Sequence, residues 1–237
     1  MKNRFAATLA LLIATGLYVY SASAMEDTPS YNCQDAKSIW CLAPRADSSL
    51  SGLREATVPK LATPDWFEPV ASVTRTVTYT VATKGAITAS MDEFRAVVAA
   101  TLNDPRGWSR LGVAFQRVES GGDFTVVLAE ASQMPGYNAV CDTYTSCSIG
   151  RNVVINQDRW VGAATAWNQA GGGLEGYRQY VINHEVGHWL GHGHRTCEAA
   201  GQPSPLMQQQ TLDLHGCTPN PWPLGGEMYS PSLGIRS

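Results

Sequence analysis

The 237-residue chain is poor in histidine, with five, and sparing with charge, at 16% Asp, Glu, Lys and Arg. It has no positive excess. Its 17 basic residues face 20 acidic ones, for a net charge of −3, so no basic field is present to attract nucleic acid, and that class of partner is set aside. There is no internal repeat. A hydrophobic share of 44% is too high for a disordered chain, and the composition is too mixed for a polytopic membrane protein. The apolar run from Phe5 to Tyr20 falls short of the ~20 residues that a spanning helix needs.

That run has a different reading. Lys2 and Arg4 precede it, and Ser21-Ala22-Ser23-Ala24 follows as a small-x-small site. Residues 1–24 are therefore read as a signal peptide cleaved after Ala24, and the chain is expected to be secreted or held in the periplasm or cell envelope, without stable membrane insertion. Cleavage would leave 213 residues with 15 basic and 20 acidic side chains, a net charge of −5. All six cysteines lie beyond this point, and an even count in an exported chain reads as disulfides. Proximity favours Cys33–Cys41, Cys141–Cys147 and Cys197–Cys217, among 15 possible connectivities.

Residues 25–70 are broken by prolines and lack apolar periodicity, and are read as a linker, a strap or a pro-segment. Residues 71–237 form the expected domain. Strand-forming types fill Ser72–Ala82. Ser90-x-x-Glu93 resembles a capping box that opens a helix with Phe94, Val97, Val98 and Leu102 on one face. Strands are expected at Gly112–Val118 and Asp123–Glu130, with a turn signal at Ser120-Gly121-Gly122 between them. A loop pinched by Cys141 and Cys147 precedes a strand at Asn152–Asn156, and a second helix runs from about Leu174 to Leu190. This order points to one α+β domain.

Four of the five histidines fall within His184-Glu185-Val186-Gly187-His188-Trp189-Leu190-Gly191-His192-Gly193-His194. His184 and His188, one helical turn apart, can reach one metal ion. Glu185 is placed to contact a metal-bound water without being a ligand. Gly191 can take the left-handed conformation that ends a helix, after which the chain turns back. His194 is the preferred third ligand because a short spacer is needed after Gly191, and His192 is its rival. Three histidines leave one position open, as in catalytic zinc sites.

The segment resembles the long zinc motif of the metzincins, H-E-x-x-H-x-x-G-x-x-H. Pro203-Ser204-Pro205-Leu206-Met207 then matches their methionine turn, with Met207 flooring the site. The stretch YRQYVINHEVGHWLGHGH (Tyr177–His194), with DPRGW, FTVVLA and PNPWP elsewhere, is similar to an uncharacterised family of exported bacterial metzincin-like proteins, a domain of unknown function. The resemblance runs from about Val73 to Pro223. It implies a metzincin-like zincin domain: a small twisted mixed sheet, an active-site helix and an irregular, disulfide-stapled C-terminal subdomain.

It also implies a peptidase with one catalytic Zn²⁺, with Glu185 as general base and a peptide or protein as substrate. A monomer is expected. A zinc hydrolase acting on a cell-wall or other amide, and a non-catalytic zinc-stabilised module, are the alternatives. Some metzincins carry a tyrosine two residues after the turn methionine. Here Gln209 stands in that place, and Tyr177 or Tyr229 would have to substitute. Metzincins bind substrate along a sheet edge, for which Phe124–Glu130 and Asn152–Asn156 are candidates. His215 reads as a surface or structural residue, and Pro219–Pro223 as a rigid wrapping segment.

Overall fold

A computed structural model describes residues 72–236. The expected signal peptide, the 25–70 segment and the Cys33–Cys41 pair lie outside the described residues.

The fold is a five-stranded mixed sheet covered by helices. Its strands are β1 (Arg75–Lys84), β2 (Val113–Arg117), β3 (Phe124–Ala129), β4 (Cys147–Ile149) and β5 (Asn152–Asn156). The helices are α1 (Met91–Leu102), α2 (Gln157–Gly162), α3 (Thr165–Gln169) and α4 (Leu174–Trp189). Strand order is β2-β1-β3-β5-β4. The first four run parallel and β4 is antiparallel to β5.

The glycines after β2 do not reverse the chain. β2 pairs with the first half of β1, Arg75–Tyr79, and β3 with the second half, Tyr79–Lys84, both parallel to it. The link between them crosses β1 and the chain continues in the same direction. Gly122 makes the crossing possible, because a Cβ there would lie 2.9 Å from backbone atoms of Tyr79 and Thr80. The Asp123 carboxylate, accepting from the Thr78 amide at 2.8 Å and its hydroxyl at 2.9 Å, fastens the crossing.

Side-chain alternation on β3 and β5 divides the core. Phe124, Val126, Leu128, Val153 and Ile155 face the large cluster beneath the helices, whereas Val127, Ala129 and Val154 join Met134 in a smaller cluster on the other face. Each such buried Val, Leu, Ile or Phe contributes about 1.5–3 kcal/mol.

Ser90 caps α1 by accepting from the Glu93 amide at 3.3 Å. The capping box is only half formed, because the Glu93 carboxylate turns to Arg178 on α4 at 2.7 Å. A tertiary ion pair has displaced the local one. Phe94, Val98 and Leu102 are buried as expected, with Thr101 beside them and Val97 only packed against the cluster.

α4 is buried continuously from Tyr180 to Gly187, wider than one apolar face. The Trp108 indole donates to the Asn183 carbonyl (2.9 Å), and Trp189 packs on Phe124 with ring centroids 4.6 Å apart. Pro219–Pro223 wraps this helix as expected. The Pro221 carbonyl accepts from the Asn183 side-chain Nδ2 at 2.9 Å, and Arg106 lies over the Trp222 ring.

Beyond α4 the chain is irregular, stapled by Cys197–Cys217, while Cys141–Cys147 closes the loop before β4. Disulfides of this kind belong to an oxidising compartment. Among the described residues no helix is long and apolar enough to cross a membrane.

Candidate metal centre

The two histidines of α4 stand one turn apart and point the same way. At its C-terminus the helix stops at Gly191, whose φ is +99°, in the left-handed region expected there. The next residues fold back, with the His192 amide donating to the Gly187 carbonyl at 3.0 Å. The Arg195 amide then pairs with the Met207 carbonyl at 2.9 Å, which brings His194 alongside the turn that carries Met207.

His184, His188 and His194 thereby offer one nitrogen each, all within 4.8 Å of one another, and this group can hold a metal ion. Their second nitrogens settle the tautomers. His184 Nδ1 lies 2.9 Å from the Leu206 carbonyl, and His188 Nδ1 lies 2.9 Å from the His192 carbonyl. A carbonyl accepts only, so Nδ1 carries the proton in both and Nε2 keeps its lone pair for a metal. His188 Nε2 and His194 Nε2 are 3.1 Å apart, a spacing that lone pairs tolerate only around a cation or a shared proton. Burial lowers the proton affinity of all three rings, that of His184 to about 3, which keeps them in the ligating form.

His192 is elsewhere. Its ring stacks on Trp108 at 4.9 Å and its Nε2 reaches the Tyr229 carbonyl at 2.8 Å. It serves the site through its backbone carbonyl, the partner of His188.

Glu185 is buried, and its Oε2 has no hydrogen-bond partner among the described residues. Burial pushes its carboxyl up to about 8. An unpartnered buried carboxylate oxygen is costly unless a cation or water compensates it. The donor set and this orphaned oxygen both fit a metal ion and its water.

These residues line a cleft of about 410 Å³. Tyr180 and Val181 of α4 form one part of its wall, Val140 and Thr145–Ser148 another, and Gln209, Thr211 and Leu212 a third. The edge strand here is β4, not β3 or β5, since β3 lies between β1 and β5, and β5 lies between β3 and β4. The short β4 segment, CSI, carries too little periodicity to be read in advance. Asn156 fixes the adjoining loop by donating from Nδ2 to the Thr143 carbonyl at 2.9 Å, while its Oδ1 accepts from the Asp158 backbone amide and caps α2.

The family described as "Protein of unknown function (DUF3152)" matches residues 62–219. The chain belongs to that family. No curated protein matches it. Among solved structures, archaemetzincin (amzA) from Methanopyrus kandleri is similar with 13% identity and a TM-score of 0.37, covering 61% of this chain and 88% of that one.

In this family member Met207 is fully buried against α4. A Cβ on Gly187 would collide with Met207 Sδ and come within 3.0 Å of the Trp108 ring. Gly187, between the two histidines of the helix, is thus required for the methionine to lie there. A glycine inside an otherwise regular helix was the available signal.

Glu227 gave no signal, lying at the end of a single 3₁₀ turn, Gly225–Glu227, in which two glycines precede it. It is fully buried and its carboxylate accepts from three amides: Leu206 at 3.0 Å, Met207 at 2.8 Å and Leu224 at 2.8 Å. It clamps the turn whose Leu206 carbonyl orients His184.

The tyrosines considered as substitutes for Gln209 do not line the cleft. The Tyr177 hydroxyl is paired with Thr211 Oγ1 at 2.8 Å, and the Tyr229 ring packs on His192. Tyr180 lines the cleft, yet its hydroxyl is fully engaged by the Gln208 carbonyl and the Gln210 amide, each at 2.9 Å. His215 is exposed, with Nδ1 3.4 Å from the Asp213 carboxylate.

Proposed function

We propose that this protein is an exported zinc-dependent peptidase. The observation that carries the reading is the meeting of three imidazole nitrogens with one buried, unpartnered carboxylate oxygen in an open cleft. A closed structural site would need neither the carboxylate nor the cleft.

His184, His188 and His194 would hold the ion. Zn²⁺ there supplies a Lewis acid that acidifies water and polarises a carbonyl. Glu185 takes the proton of the attacking water and passes it to the leaving amine. Leu206 and His192 hold their histidines in the ligating tautomer through backbone carbonyls. The unpaired side of β4 gives an extended peptide a strand to lie against. Two disulfides support export.

The test is metal analysis and a peptide-library digest of wild type beside Glu185→Gln. Equal zinc in both proteins, with cleavage by wild type alone, is the expected result. Zinc in wild type without cleavage of any peptide would favour the zinc-stabilised module instead.

A further inference from the structure

The partly buried arginines among the described residues are Arg95, Arg159, Arg178 and Arg195. Arg95 meets the Asp92 carboxylate at 2.9 Å, Arg178 the Glu93 carboxylate at 2.7 Å, and Arg195 the Gly226 carbonyl at 2.7 Å. Arg159, on α2, is the exception. Its side chain meets no acid and no carbonyl among the described residues, and its Nε is buried without a partner. A buried donor left unpaired costs about 1–3 kcal/mol, and more where it carries charge.

What holds Arg159 is a ring. Its guanidinium lies over Tyr144, 4.4 Å from the ring centroid. Tyr144 belongs to the loop closed by Cys141–Cys147, and the residues that follow it, Thr145 and Ser146, line the cleft. Asn156 sets ring and guanidinium against each other, since its Nδ2 holds the Thr143 carbonyl and its Oδ1 caps the helix of Arg159. Arg159 also bears on Tyr177, whose hydroxyl pairs with the cleft residue Thr211 at 2.8 Å. Burial raises the proton affinity of that hydroxyl, the Arg159 charge lowers it, and Glu185 and Tyr144 raise it, so the three groups stand around one end of the cleft. The Asp142 carboxylate in the same loop is spent on the Tyr144 and Thr145 amides and the Thr145 hydroxyl. Ser148 and Gln209 line the cleft with free side chains, but these offer neutral donors only.

A guanidinium stacked on an aromatic face keeps its edge N–H groups for a planar acceptor, and a carboxylate matches both its charge and its fork. We infer that Arg159 anchors a carboxylate of the bound peptide at the end of the cleft framed by Tyr144 and Thr211. The inference rests on the peptidase reading for its ligand being a peptide. An acidic side chain and a free C-terminus carry the same group. The first would make the enzyme an acid-selective endopeptidase. The second would fix the distance from the chain end to the cut bond and make it an exopeptidase.

The experiment measures binding separately from turnover. Labelled alanine octapeptides are titrated into zinc-loaded Glu185→Gln protein in two arms. One arm compares Glu with Gln at each position of an amidated peptide, and the other compares a free C-terminus with an amidated one. In one of the arms the carboxylate peptide should bind at least about tenfold more tightly than its neutral mate. Adding Arg159→Gln should shrink that ratio to within about twofold and leave the neutral peptide's affinity unchanged, which also shows that the variant is folded. Arg159→Lys should keep part of the ratio. Equal binding of carboxylate and neutral peptides in both arms would overturn the inference. So would a preference that survives Arg159→Gln, because the metal would then be its source. Wild-type digestion of the same peptides reads the peptidase proposal by itself. Cleavage with no carboxylate preference would leave that proposal standing and sink this one, and a preference without cleavage would do the reverse.

Discussion

Glu185 and Glu227 are both buried glutamates within the same metal-centre architecture, and their surroundings are opposite. Glu227 is saturated by three backbone amides, in a part of the chain with hardly any regular structure. Glu185 sits in the longest helix among the described residues and has an oxygen with no partner among them. Burial is equal in kind, so the difference lies in what meets the charge. A saturated carboxylate holds structure. An unsatisfied one carries a cost that a proton, a cation or a bound water must relieve. The irregular C-terminal segment thus supplies the support, and the regular helix carries the unsatisfied group.

The comparison would break most sharply in turnover. Glu185→Gln should lower kcat by about 10²–10⁴-fold, the range for a lost general base, at unchanged zinc content. Glu227→Gln should lower it far less, because one of its oxygens can still accept. Similar losses in the two variants, in assays of metal-saturated protein, would erase the distinction.

Stability should reverse the order. Glu227→Ala leaves two buried amides and the half-buried Leu224 amide unpaired, and at about 1–3 kcal/mol for each buried group the loss should reach on the order of 2–6 kcal/mol in denaturant unfolding. Glu227→Gln should recover part of it.

Glu185→Gln should do the opposite in metal-free protein. The Glu185 carboxyl is raised from 4.5 to about 8 in the folded state. The folded chain therefore binds the proton more tightly, and wild-type stability falls as pH rises through that window. Glutamine removes the effect. The variant should be more stable by roughly 4–5 kcal/mol at pH 8 and by under about 1 kcal/mol at pH 5. Loading with zinc should flatten this pH dependence, and a gain that is constant with pH would argue against a buried charge as its source.

A smaller effect is expected between the two regions, where Met207 meets α4. Gly187→Ala forces the methionine aside and should cost about 1–3 kcal/mol, the usual range for overpacking, with weaker zinc binding in a competition assay.

How far the sequence foretold this arrangement follows the range of the forces involved. Asn152–Asn156 was readable residue for residue, and the helix of the histidines nearly so, because apolar runs and a glycine stop act locally. Cys141–Cys147 and Cys197–Cys217 were readable from proximity. The crossing of β1 was not, because a glycine pair marks a reversal and a close approach alike, and only the partner strand decides. The edge of the sheet was misplaced for a related reason. Three residues of β4 pair antiparallel beside β5, and nothing in so short a segment announces it. The same limit hid Glu227, whose partners Leu206 and Met207 lie 21 and 20 residues away.

The central claim is that three histidines, and not the fourth beside them, hold the ion. Equilibrium dialysis against Zn²⁺, followed by elemental analysis, tests it in wild type, His194→Ala and His192→Ala. One zinc per chain in wild type and in His192→Ala, with loss in His194→Ala, is the result predicted. Zinc retained by His194→Ala, or lost from His192→Ala alone, would contradict it.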